Sequence, residues 1–216
     1  MNKLMIGVLA FGLFLTACEN PADNKPKATV NNSNTATNTG TATTRQTKGE
    51  AIAFNNESSK VGFIGSKVTG KHDGGFNKFS GTIDLVNNKV PESQVVVDIE
   101  MSSVFTDSDG LTKHLQTGDF FEVEKFPKST FVSTKIEEDK SKGADNYNVT
   151  GDLEMRGVKK SISFPAKIVV APTEVAVDAE FSINRKDFGI VYAGKADDLI
   201  RDEVVLKLNL KAPRKK

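Results

Sequence analysis

The residues best suited to chemistry gather around His114. The stretch HLQTGDFFEVEKF sets that histidine near Asp119, Glu122 and Glu124. A histidine beside a carboxylate can serve as a general base, and an imidazole with several carboxylates can be drawn around a cation. The metal reading is weak, because hard carboxylate ligands on a short turn, with no second histidine close in sequence, make a poor transition-metal set. The chain carries only one other histidine, His72. No histidine-rich metalloenzyme motif is present, and no serine or cysteine stands in a nucleophile elbow. No metal and no cofactor are expected. His114 is read instead as a helix-face residue whose ring bonds nearby backbone and fixes a turn. A hydrolase or isomerase using His114 with Asp119 or Glu122 is the enzymatic rival.

Two arginines stand at strand ends. Arg156 precedes Gly157 in LEMRGVKK, and Arg185 lies in INRKDFGI. Pairing with a carboxylate such as Asp152 or Asp187 is one role for them. The other is to meet a phosphate or polar head group at the mouth of a cavity, which the planar guanidinium fork suits.

Cys18 is the single cysteine, so no intramolecular disulfide can form. It follows a basic Lys3, an apolar run from Leu4 to Leu15, and Thr16-Ala17. That run is too short to span a bilayer and reads as a secretory signal, with Leu15-Thr16-Ala17-Cys18 resembling the bacterial lipobox. Residues 1–17 are therefore expected to be a lipoprotein signal peptide, with lipidation at Cys18. Residues 18–49, rich in Asn, Thr, Ala, Lys and Pro, are expected to be a disordered tether. Glu19 after the cysteine, rather than aspartate, points to the outer membrane facing the periplasm. The formal charge is +1 and falls to about zero once the signal is gone, so nucleic acid is not an expected partner.

The elements that must position these residues lie in 50–213. Val204, Leu206, Leu208 and Leu210 alternate with Val205, Lys207, Asn209 and Lys211. The same period of two runs through Val175 to Ile183, Ile162 to Val170, Phe79 to Leu85 and Val95 to Met101. Such segments have one dry and one wet face and belong to antiparallel sheet. One short helix interrupts them, from Asp109, as its cap, to about Gly118. The fold class is all-β, an antiparallel barrel with one short helix inserted; strand length and Gly62, Gly65, Gly75 and Gly81 favour a curled barrel over a sandwich. Phe120 and Phe121 are expected to close one end of it, either plugging the end or lining a pocket there.

Five ordered blocks, GGFNKFSGTI (74–83), HLQTGDFFEVEKFPKSTFVS (114–133), YNVTGDLEMRGVKKSI (147–162), INRKDFGI (183–190) and DEVVLKLNLKA (202–212), resemble the YceI family of lipocalin-like bacterial proteins. The resemblance implies an eight-stranded barrel whose apolar cavity takes a polyisoprenoid or similar lipid. The partners expected are thus a long-chain lipid and, through the anchor, a membrane; a homodimer is left open. No enzyme activity is expected, and an apolar tunnel needs no catalytic group, since each CH2 shielded from water contributes about 0.8 kcal/mol. The wall residues singled out are Phe79, Leu115, Phe120, Phe121, Phe131, Met155 and Phe181, with Arg185 at the mouth. A filled barrel that serves envelope stress or protein interaction is the remaining alternative, because a packed core and a cavity wall are equally apolar in pattern.

Overall fold

The computed structural model describes residues 19–33 and 48–215. In chain order its strands are β1 (Thr29–Asn32), β2 (Glu50–Asn55), β3 (Lys60–Lys67), β4 (Gly70–Phe76), β5 (Phe79–Leu85), β6 (Gln94–Glu100) and β7 (Val104–Thr106). After the helix α1 (Asp109–Leu115) come β8 (Lys128–Glu138), β9 (Asn146–Met155), β10 (Val158–Val170), β11 (Glu174–Asn184), β12 (Gly194–Lys195), β13 (Asp198–Leu199) and β14 (Glu203–Pro213).

Three pairs of these, β2 with β3, β4 with β5 and β6 with β7, are halves of single long strands: β3 pairs with β4 while β2 pairs with β5, and β5 pairs with β6 while β4 pairs with β7. Eight long strands result, each antiparallel to the next. The ring closes where β14 returns to β3, with Leu206 opposite Phe63. This is the antiparallel barrel with one helix that strand length and glycine placement favour over a sandwich. Its curvature uses glycine where an aromatic ring lies across the neighbouring strand. A Cβ on Gly151 would stand 2.4 Å from Cζ of Phe131, so glycine alone lets that ring lie there.

The helix differs in detail from the expectation. Ser108, not Asp109, is its cap, accepting from the Leu111 amide at 3.5 Å. The helix stops at Leu115 because the Thr117 hydroxyl and amide both donate to the His114 carbonyl, at 2.8 and 3.0 Å, and close the chain into a turn.

A larger difference concerns the stretch expected to be a disordered tether. Residues 20–33 of it form a belt on the barrel. Strands β10 and β11 pair only from Lys167 to Val170, and beyond that they splay apart. β1 fills the opening, antiparallel to β10 with Val30 opposite Ile162. On its other side Ser182 of β11 exchanges backbone bonds with Pro26 and Ala28, at 2.8 and 2.9 Å. Ala28 is buried in the barrel core and Val30 packs against it. Further back, Lys25 pairs with Glu180 and Lys27 with Glu203. Ala22 covers Ile64 and Val205, two outward-pointing apolar residues that would otherwise be wet. Sparse apolar residues thus suffice here, because the belt supplies hydrogen bonds to two strand edges where they part, β1 to β10 and Pro26 and Ala28 to β11.

Candidate functional site

The barrel interior holds an apolar void in two chambers. Chamber one, of about 130 Å³, lies mid-barrel among Val97, Phe131, Leu153, Phe164, Phe181 and Leu208. Chamber two, of about 280 Å³, lies under α1 among Phe63, Leu115, Phe120, Phe121, Ile190 and Ile200. Phe76, Met155, Ile183 and Leu206 belong to both and form the waist between them. Aromatic contacts hold the walls: Phe164 stacks on Phe181 at 4.1 Å between ring centres, and Phe76 tilts against Phe63 at 5.9 Å and Phe121 at 6.1 Å. Ser129 contributes a polar side chain to chamber one, and its hydroxyl is spent on the Glu154 carbonyl at 2.7 Å. A cavity lined in this way offers water few partners and suits an apolar guest.

The far end of the barrel is closed. Ile52, Leu85, Val90, Ile168, Val175 and Ala212 fill it, and Arg214 locks it from outside by pairing with Glu50 at 2.6 Å. The opening is at the α1 end, where Lys67, His72, Arg185 and Arg201 edge chamber two. Most of this rim is occupied with holding loops in place. Lys67 pairs with Asp198, and that hydrogen bond is the main cause that holds the Asp198 carboxyl below the usual carboxylate range. His72 Nδ1 meets Asp107 at 2.7 Å, which likewise depresses the Asp107 pKa.

The two arginines are staples. Arg185, 4% exposed, donates to the carbonyls of Ile190 (2.7 Å) and Arg201 (3.1 Å) and to Asp202 (3.3 Å). Its partner is thus Asp202 and not Asp187. Burial lowers its pKa and Asp202 opposes that shift, yet a guanidinium remains charged. Arg156 donates to the Gly189 carbonyl and, at 2.7 Å, to the Gly118 carbonyl, with Glu122 at 3.6 Å. It ties the segment after α1 to the loop after β11, and its expected partner Asp152 takes no part. Both Arg156 and Gly157 have positive φ, 52° and 71°, as a tight turn between β9 and β10 requires.

His114 pairs with a side chain and not with backbone: its Nε2 is 2.8 Å from Asp119 Oδ2. The ring edges onto Phe120 and Tyr192 at 5.0 and 5.1 Å, above the Phe wedge. Neither His114 nor Asp119 lines a chamber. Among the described residues no group of three or more His, Cys, Asp or Glu is placed to hold a metal ion.

A closed eight-stranded barrel with an apolar, helix-capped interior is thus on hand, and the YceI-like domain profile matches residues 53–212 of it. The chain belongs to the YceI-like domain family. A UPF0312 protein of Pectobacterium atrosepticum is 33% identical over 123 residues, and protein YceI of Escherichia coli is 32% identical over the same length. Each match covers 54% of this chain and 62% of the relative, so the chain spans less than two thirds of these curated relatives. Among solved structures, a YceI protein of Campylobacter jejuni superposes with a TM-score of 0.54 at 26% identity, over 66% of this chain and 85% of that one. BcnA of Burkholderia cenocepacia gives 0.65 at 24%, over 74% and 99%. A domain of Saccharophagus degradans described as polyisoprenoid-binding gives 0.61 at 17%, over 78% and 100%. The last two share the fold.

Within this YceI-like barrel the residues singled out from sequence fall as follows. Phe131 and Phe181 line chamber one, Leu115, Phe120, Phe121 and Arg185 line chamber two, and Met155 lines both. Phe79 lines neither; its ring is taken up in the packed core. Cys18 lies outside the described residues. Sequence reasoning did not single out Phe63, Phe76, Phe164, Ile183 and Leu206. The last three sit on the dry faces that alternation marks, while Phe63 and Phe76 lie in glycine-broken strands where the pattern is faint.

Proposed function

We propose that this YceI-like barrel binds a long-chain apolar lipid of isoprenoid, quinone or fatty-acyl type, without catalysis, as a carrier, store or sensor at the bacterial envelope. The observation that carries this reading is the pair of apolar chambers joined at a waist and open at one end, a shape suited to a chain and not to a compact solute. The polyisoprenoid-binding description of the Saccharophagus neighbour supports the same ligand class by analogy of fold. The lipobox-like Leu15-Thr16-Ala17-Cys18 supports a diacylglycerol anchor on Cys18, with the outer membrane facing the periplasm as its place. Native mass spectrometry and organic extraction of the chain secreted into a bacterial periplasm test the binding reading. An added mass of isoprenoid, quinone or acyl type is the expected result. A clean apo mass, together with no uptake of offered isoprenoid alcohols, would overturn it in favour of a barrel that serves protein partners.

A further inference from the structure

The rim of chamber two carries an exposed apolar lip. Among the described residues five large apolar side chains are exposed, and three of them, Val68 (54%), Val191 (65%) and Leu199 (49%), belong to this rim. They sit on segments tied together. The Val68 amide donates to the Leu199 carbonyl at 3.1 Å, Lys67 bridges Ile200, and the Ile200 amide donates to the Ala193 carbonyl at 2.9 Å. Each exposed tip is next in sequence to a residue that lines chamber two: Val68 to Lys67, Val191 to Ile190 and Leu199 to Ile200.

The belt brings the first described residues to the same end. Ala22 rests on Ile64 and Val205, and Ile64 is three residues from Lys67 on β3, about 10 Å along the strand. Cys18 precedes Ala22 by four residues, a reach of at most about 14 Å. An acyl anchor there would enter the bilayer beside the lip and not at the closed end.

We infer that Val68, Val191 and Leu199 form a bilayer-docking lip that turns the mouth of chamber two toward the membrane. The inference rests on the envelope-lipid reading of the barrel for its purpose. Charge is close to balanced around the lip and does not drive the contact: Lys67, Arg185, Lys186, Lys195 and Arg201 stand with Asp187, Asp197, Asp198 and Asp202. Docking is therefore apolar insertion, insensitive to salt, which screens only charge.

The test uses the full chain, acylated in cells, in vesicles of phosphatidylethanolamine and phosphatidylglycerol that contain doxyl-labelled lipid. Single cysteines at Val191→Cys or Leu199→Cys, and at Ala144→Cys on the closed end, carry an NBD fluorophore. The expected result is quenching at both rim positions at least about threefold greater than at Ala144→Cys, unchanged when salt is raised tenfold. Protein that stays on the vesicles with rim probes no more quenched than Ala144→Cys overturns the lip while leaving the anchor and the lipid cavity standing. Rim quenching lost in high salt overturns apolar insertion in favour of charge. Protein that does not float with the vesicles overturns the anchor and the lip together, whatever mass spectrometry finds inside the barrel.

Discussion

Blocking the waist should separate short ligands from long ones. Met155 belongs to the walls of both chambers, and Met155→Trp would fill the passage that it shares with Phe76, Ile183 and Leu206. If a methylene takes roughly the 30 Å³ of a water in the liquid, chamber two, at about 280 Å³, takes about nine and chamber one, at about 130 Å³, about four. An eight-carbon tail is thus accommodated in chamber two alone, while a twelve-carbon tail must pass the waist. Of twelve groups about nine fit chamber two, so about three methylenes kept in water forfeit about 2.4 kcal/mol at about 0.8 kcal/mol each, which is roughly 60-fold in affinity. The assay is displacement of an anilinonaphthalene probe by octanoate and dodecanoate, with Met155→Leu as the volume-conserving control. The wild-type and Met155→Leu proteins should prefer dodecanoate strongly, and Met155→Trp should bind both acids alike. Equal weakening of both acids, or a preference for dodecanoate that survives the tryptophan in a protein of unchanged melting temperature, would refute the two-chamber reasoning.

Other perturbations probe the wall, the belt and the rim. Gly151→Val places a Cβ against the Phe131 ring, where the clearance is 2.4 Å, and should cost about 1–3 kcal/mol of stability in urea unfolding; an unchanged midpoint would mean that the ring moves freely. Ala28→Asp drives a carboxylate into the core cluster, and at pH 7 should lower the melting temperature far more than Thr29→Asp next to it on β1, whose side chain is exposed; equal effects would count against the belt as part of the wall. Asp107 and Asp198 have depressed pKa values in the folded state, so their stabilising pairings are fully present above the ordinary aspartate value near 4 and are lost as pH falls through the lower folded values. Thermal melts between pH 5 and 2 should show part of this loss vanish in Asp198→Asn, and an identical profile would remove Asp198 from the account.

The antiparallel sheet is legible because most long strands show one dry face, and Ile162, Phe164, Ala166 and Ile168 of β10 are all buried as their spacing requires; strand length and glycines tip it to a barrel. The two chambers are not legible, since whether an inward ring packs or lines a void depends on what stands across the barrel. Phe79 and Phe131 have the same local pattern, yet only Phe131 borders a chamber. The belt is not legible because KATVNN offers two apolar residues in a polar, tether-like composition, too few for a period to declare itself. A signal did exist on the partner side: Ile64 and Val205 are apolar at outward positions, which asks for a cover. The Arg185–Asp202 pair was hidden by a loop whose closure sequence spacing does not reveal.

The belt also sets an order of events. Lys25 finds Glu180 across 155 residues of chain, so the first described segment is seated by a strand synthesised well after it. Contacts this distant in sequence slow folding, because the loop between them must close before they form. Until β11 is in place, the notch beside β10 stands open with unpaired amides and carbonyls. A neighbouring molecule's belt carries the same sequence and fits the same notch. Chains crowded while they fold would therefore be prone to exchange belts, and the fraction of strand-swapped dimer should rise with the concentration at which the protein is refolded.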